Sequence, residues 1–146
     1  LNVSASDGTG LKCDSIIYMT GGELNINVTS NLSEGIRTNY AAYFDGGSIK
    51  MNVSSNGSKG IRAKRCSKST DTVLNGGFLH FRGTTVDMTV SGKTYTADGT
   101  DCVGIRADRD LTQTAGDITI TMASTDATAV VVKGTENRTG GTLTIK

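Results

Sequence analysis

Apolar and polar residues alternate along most of this chain, in short bouts that stop at glycine corners and begin again. The clearest bouts are Leu24-Ile26-Val28, Ile49-Met51-Val53, Leu79-Phe81, Ile118-Ile120-Met122 and Leu143-Ile145, with Asn25, Asn27, Lys50, Asn52, Thr119 and Thr121 between the apolar positions. A period of two puts successive side chains on opposite faces of an extended strand, so these bouts predict strands with one face inward and one in water. Each follows a Gly-Gly or Ala-Gly pair, and each pair follows an opening phrase: Gly10-Leu11-Lys12-Cys13-Asp14, Gly35-Ile36-Arg37-Thr38-Asn39, Gly60-Ile61-Arg62-Ala63-Lys64, Gly104-Ile105-Arg106-Ala107-Asp108 and Ala129-Val130-Val131-Val132-Lys133. The openings stand at 10, 35, 60, 104 and 129, a period of 25 with one long copy. The glycine pair starts 11 residues after the opening in four copies and 16 after it in the long one, at Gly76-Gly77.

The openings predict a first strand, with Leu11, Ile36, Ile61, Ile105 and Val130 inward and the small residues Cys13, Thr38, Ala63, Ala107 and Val132 two positions on. A second strand is expected at 16–19, 41–44 and 73–74, and the alternating bout after the glycine pair is the third. Three short strands in a fixed period of this length predict an all-β fold, a parallel β-helix whose copies stack at about 4.8 Å so that equivalent residues form columns. The glycine pairs interrupt any helical period, a propeller blade would need about 40 residues, and a collagen-like chain is excluded by the absence of proline. Two insertions are expected in the long copy, one within 65–72 and a larger one at 83–101 that reads as a hairpin around Ser91-Gly92.

Composition changes this picture little. The 146 residues form a single unit, 1–146, and the scarcity of Leu, Ile, Val and Phe, which elsewhere would suggest disorder, is what a stack with a thin core needs. Because the chain starts and stops within repeats, with Leu1-Asn2-Val3-Ser4 matching Ile26-Asn27-Val28-Thr29, it reads as a segment of a longer parent chain. A formal net charge of +1 argues against a general nucleic-acid binder, and no apolar run reaches membrane-spanning length.

Charge matters more in its placement. Lys12, Arg37, Arg62 and Arg106 share one outward position of the first strand, so the stack lines up like charges, which is unfavourable between neighbouring strands. Either Glu34, Asp14 and Asp108 neutralise the column, or it is a stripe for a regularly spaced polyanion, with guanidinium forks meeting carboxylates. In the long copy Phe78, His80 and Arg82 stand where other copies carry Ser, Asn, Asp or Thr, which makes them a candidate sugar platform. Asp98, Asp101, Asp108 and Asp110 crowd the return into the next copy, and Asp101, Asp108 and Asp110 are the oxygens to consider for Ca2+. A column of Asn2, Asn27 and Asn52 carries N-glycosylation triplets, which a chain so rich in Asn, Ser and Thr produces by composition. Catalysis finds no motif: His80 is the one histidine, and Cys13, Cys66 and Cys102 lack metal-ligand spacing, with a Cys66–Cys102 disulfide not favoured.

The Gly104-Ile105-Arg106-Ala107-Asp108-Arg109-Asp110 opening and the Gly116-Asp117-Ile118-Thr119-Ile120 strand resemble the bacterial carbohydrate-binding-domain proteins, non-catalytic relatives in architecture of the pectate lyases. The resemblance covers the chain apart from the two insertions. It implies a right-handed parallel β-helix, a secreted or cell-surface location, and binding of an extracellular, pectin-like polyuronate, with calcium at acidic corners. Asp108 and Asp110 fall on the family's Asp-Gly-Asp corner, where Arg109 replaces its glycine. On this reading Arg37, Arg62, Arg106, Phe78, His80 and Arg82 contact the glycan, and Asp101, Asp108 and Asp110 hold the metal. A polysaccharide-lyase segment and a passive adhesin stalk are the alternatives.

Overall fold

The computed structural model describes residues 1–65 and 76–146, which hold fourteen strands and no helix. In chain order these are β1 (Asn2–Ala5), β2 (Thr9–Cys13), β3 (Ile16–Val28), β4 (Glu34–Thr38), β5 (Ala41–Val53), β6 (Lys59–Ala63), β7 (Phe78–Arg82), β8 (Thr85–Val90), β9 (Val103–Ala107), β10 (Leu111–Ala115), β11 (Asp117–Met122), β12 (Thr128–Val132), β13 (Glu136–Arg138) and β14 (Thr142–Ile145). The openings assemble into one five-stranded sheet, β12-β9-β6-β4-β2, parallel throughout. The remaining strands form a nine-stranded parallel sheet. The long strand β5 bridges its two halves, pairing with β7 through residues 41–44 and with β8 through 48–53. The result is an all-β molecule of parallel strands in curled sheets.

Registers follow the repeat. Leu11, Ile36, Ile61, Ile105 and Val130 lie in line across the five-stranded sheet, and Ile36, Ile61 and Ile105 are at most 1% exposed. Across the other sheet Ile26, Met51, Met88 and Ile120 form a second interior line, and Phe44 stacks on Phe81 at 5.1 Å. The opening glycine is required by this packing. A Cβ on Gly35 would lie 2.7 Å from the carbonyl oxygen of Gly60, and one on Gly60 would lie 2.6 Å from that of Gly104. Ala129, the one opening without glycine, belongs to the edge strand β12.

The long copy is phased differently from the sequence expectation. Phe78–Arg82 is its second strand, paired with 41–44, rather than its third. The third is Thr85–Val90, inside the stretch expected to be an inserted hairpin, where it pairs in parallel with both β5 and β11. Gly76-Gly77 imitates a corner, but the bend equivalent to Gly46-Gly47 is Gly83-Thr84, tied to the neighbouring copy by a hydrogen bond from Thr84 Oγ1 to the Gly46 carbonyl at 2.8 Å. The extra length sits instead between β6 and β7 and in 91–102, which carries an antiparallel bridge between Tyr95 and Thr100. The expected strand at 73–74, Cys66 and most of the expected insertion at 65–72 lie outside the described residues.

The first strand also sits off the expected register. Asn2 pairs with Asn25 and Ser4 with Asn27, so the asparagine column joins Asn27 to Asn52 and leaves Asn2 two residues out of it. The turn 6–8 is two residues shorter than 29–33, which moves β1 by two.

Candidate functional site

On the outer face of the five-stranded sheet Lys12, Arg37, Arg62 and Arg106 do form one column, strand by strand. The three arginine side chains are 24%, 19% and 19% exposed, and each meets a carboxylate. Arg62 is held between Glu34 at 2.8 Å and Asp108 at 3.2 Å; Arg37 lies 3.4 Å from Glu34 and Arg106 donates to Asp108 at 2.9 Å. The two acids therefore sit between arginines as spacers, which removes the like-charge penalty of the column. Burial opposes the Asp108 charge, but the hydrogen bond from Arg106 and the Arg62 guanidinium outweigh it and hold the carboxyl below its ordinary range. Arg62 shows the converse: burial works against its charge, Glu34 and Asp108 more than restore it, and its pKa is raised.

The acids expected at a calcium site are divided by this arrangement. Asp108 is engaged by Arg62 and Arg106, with Lys133 at 3.7 Å, and Asp110 accepts the backbone N–H of Thr135 at 2.8 Å. Asp101 is exposed at the end of the 91–102 loop. Among the described residues no group of three or more His, Cys, Asp or Glu side chains is placed to hold a metal ion. Cys13 and Cys102 are free thiols, and burial raises the pKa of Cys102, which leaves it a poor nucleophile.

Phe78, His80 and Arg82 share the outer face of β7, because alternation turns Leu79 and Phe81 into the core. They do not stand alone. Parallel register sets His80 beside Tyr43, and Tyr43 beside Tyr18. The His80 and Tyr43 rings stack at 4.6 Å and 6°, and Tyr43 stacks on Tyr18 at 4.8 Å and 10°. Phe78 extends the row, its ring 6.3 Å from His80, with Tyr40 edge-on at 6.1 Å. Two cations brace the edges. Arg82 makes a bidentate pair with Asp45 at 2.7 and 2.8 Å and lies 4.8 Å from the Tyr43 ring centre, while the Arg109 guanidinium lies 4.9 Å from the centre of Phe78. Burial, and then the Arg82 charge, push the His80 pKa below its usual value, so the imidazole is neutral at pH 7.

This row can do two things for a hydroxylated ligand. It offers ring edges and the open face of Tyr18, which is 63% exposed, against the C–H surface of a sugar. It also presents the tyrosine hydroxyls and the imidazole at strand spacing, as donors and acceptors that need no proton uptake. Tyr18, Tyr40, Tyr43 and Arg109 are absent from the sequence-level site. Tyr18 and Tyr43 stand one period of 25 apart, and that signal was legible; His80 completes the column once Phe78–Arg82 is taken as the second strand.

No protein-family model, curated protein or solved structure matches the chain.

Proposed function

We propose that this chain is a right-handed parallel β-helix segment of a secreted or cell-surface bacterial protein, and that it binds an extracellular polysaccharide without transforming it. The observation that carries the reading is the stacked row of Tyr18, Tyr43 and His80, flanked by Phe78 and the Arg82–Asp45 fork, on a surface that elsewhere repeats Asn, Ser and Thr. A polymer with a regular repeat suits a row with a regular repeat. The right hand is the one that parallel crossover connections adopt almost without exception. Pectin-like polyuronate is the preferred ligand: Arg37, Arg62 and Arg106 are largely covered and paired with Glu34 and Asp108, so the cations beside the aromatic row that would meet a uronate are Arg82 and Arg109. A calcium ion, if it takes part, would bridge glycan and protein carboxylates rather than occupy a preformed protein cage.

The neutralised arginine column favours a second reading, a passive stalk, because it supplies cohesion between copies without any ligand. Electrophoresis through gels containing polygalacturonate or a neutral glucan, with and without calcium, separates the two. Binding predicts retardation by polygalacturonate above that by glucan, and loss of about fivefold or more of the affinity in Tyr43→Ala/His80→Ala, the scale of one lost aromatic contact. Unretarded migration in every gel would leave the stalk.

A further inference from the structure

The corner where β9 turns into β10 holds a cavity of about 460 Å³ lined by Arg65, Asp108, Arg109, Lys133 and Gly134. It draws on three copies of the repeat: Arg65 follows β6, Arg109 follows β9 and Lys133 follows β12. Its floor is the Asp108 carboxylate, which Arg62 and Arg106 already engage from the sheet side at 3.2 and 2.9 Å. Lys133 approaches the same carboxylate at 3.7 Å, beyond hydrogen-bond length, and its side chain is 56% exposed. Arg109 lies 3.9 Å from Asp110, whose other oxygen accepts from the Thr135 N–H. Among the described residues Arg62, Arg65, Arg106, Arg109 and Lys133 gather at this corner around Asp108 and Asp110, with Glu34 on the far side of Arg62, five cations to three carboxylates. A divalent cation entering here would have to displace guanidinium groups from Asp108. An anion entering here meets donors instead.

We propose that this corner is a binding site for an oxyanion, a carboxylate or sulfate group held by Lys133, Arg65 and Arg109. The Arg109 guanidinium rests on Phe78, at the near end of the aromatic row, so the same arginine joins the corner to that face. A sugar acid lying along the row would place its carboxylate in the corner, and a neutral sugar would leave the corner empty. In that form the inference rests on the polysaccharide reading; the anion site itself does not.

The test is a titration followed by two-dimensional 1H–15N NMR, at matched ionic strength, with sodium sulfate, digalacturonate, a neutral disaccharide and sodium chloride as probes. Sulfate and digalacturonate are expected to shift the amides of Asp108, Arg109 and Gly134 saturably, while chloride and the neutral disaccharide leave them in place. In Arg65→Gln/Lys133→Gln, two residues outside the aromatic row, the oxyanion affinity is expected to fall about fivefold or more. Sulfate binding without digalacturonate binding identifies a site for free inorganic anions; binding of both identifies a uronate subsite, and either supports the proposal. Absence of saturable shifts at the corner with both oxyanions overturns it, as does an undiminished affinity in the double variant. Failure of the polysaccharide reading shows separately, as the absence of shifts at Tyr18, Tyr43 and His80 with any sugar.

Discussion

The outer face of the five-stranded sheet and the outer face of the β3–β5–β7 run are built by the same device, one side chain per copy at strand spacing. They end in opposite states. The arginine column is closed on itself, with Glu34 and Asp108 placed between Arg37, Arg62 and Arg106 and little of each guanidinium in water. The aromatic column is half-buried at Tyr43 and His80 and stays open at Tyr18, whose ring is mostly in water. The difference lies in what repetition costs. Stacked rings attract, so a row of them needs no partner. Stacked cations repel, so a row of them recruits carboxylates from the protein before any ligand arrives. The most regular feature of a repeat is therefore not the most available one.

Asp108→Asn breaks the closed face and carries the largest expected effect. It removes the acid shared by Arg62 and Arg106, and denaturant melts should show a loss of about 3 kcal/mol. Because the folded pKa of Asp108 lies below its unfolded value, its contribution is complete above about pH 3.9 and is lost as pH falls through the folded pKa. The variant should accordingly lose part of the acid limb of the stability profile; an unchanged acid limb would mean that the network does not hold the sheet.

Tyr43→Ala opens a gap in the aromatic row. It removes two ring stacks, for about 1 kcal/mol of stability, and it is expected to weaken polygalacturonate binding more than it weakens the fold. Equal affinity of variant and native chain for polygalacturonate would remove the row from the binding surface.

Arg37→Ala should do least. Its contact with Glu34 is a single one at 3.4 Å at the end of the network, so a change of about 0–1 kcal/mol and an unaltered glycan affinity are expected. If Arg37→Ala weakens binding as much as Tyr43→Ala does, the comparison inverts and the charged face is the contact surface.

Much of this organisation is legible in the chain itself. The period of 25, the strand alternation and the inward line of Ile36, Ile61 and Ile105 follow from local chemistry, because a period-two pattern and a glycine corner report the backbone wherever they occur. The opening glycines were legible as a repeat, though the reason for them, a carbonyl oxygen of the next copy 2.6 to 2.8 Å from the missing Cβ, belongs to the packed state. The acids beside the arginines were also visible, since Glu34 and Asp108 lie within three residues of Arg37 and Arg106 in sequence. What no local pattern contains is which copy lies against which. Gly76-Gly77 has the chemistry of a corner, yet parallel pairing with 41–44 makes Phe78–Arg82 a second strand. That register alone brings His80 onto Tyr43 and Arg82 onto Asp45, residues 37 positions apart. Phase in an irregular copy is a property of the neighbouring strands, so the tertiary structure decides it.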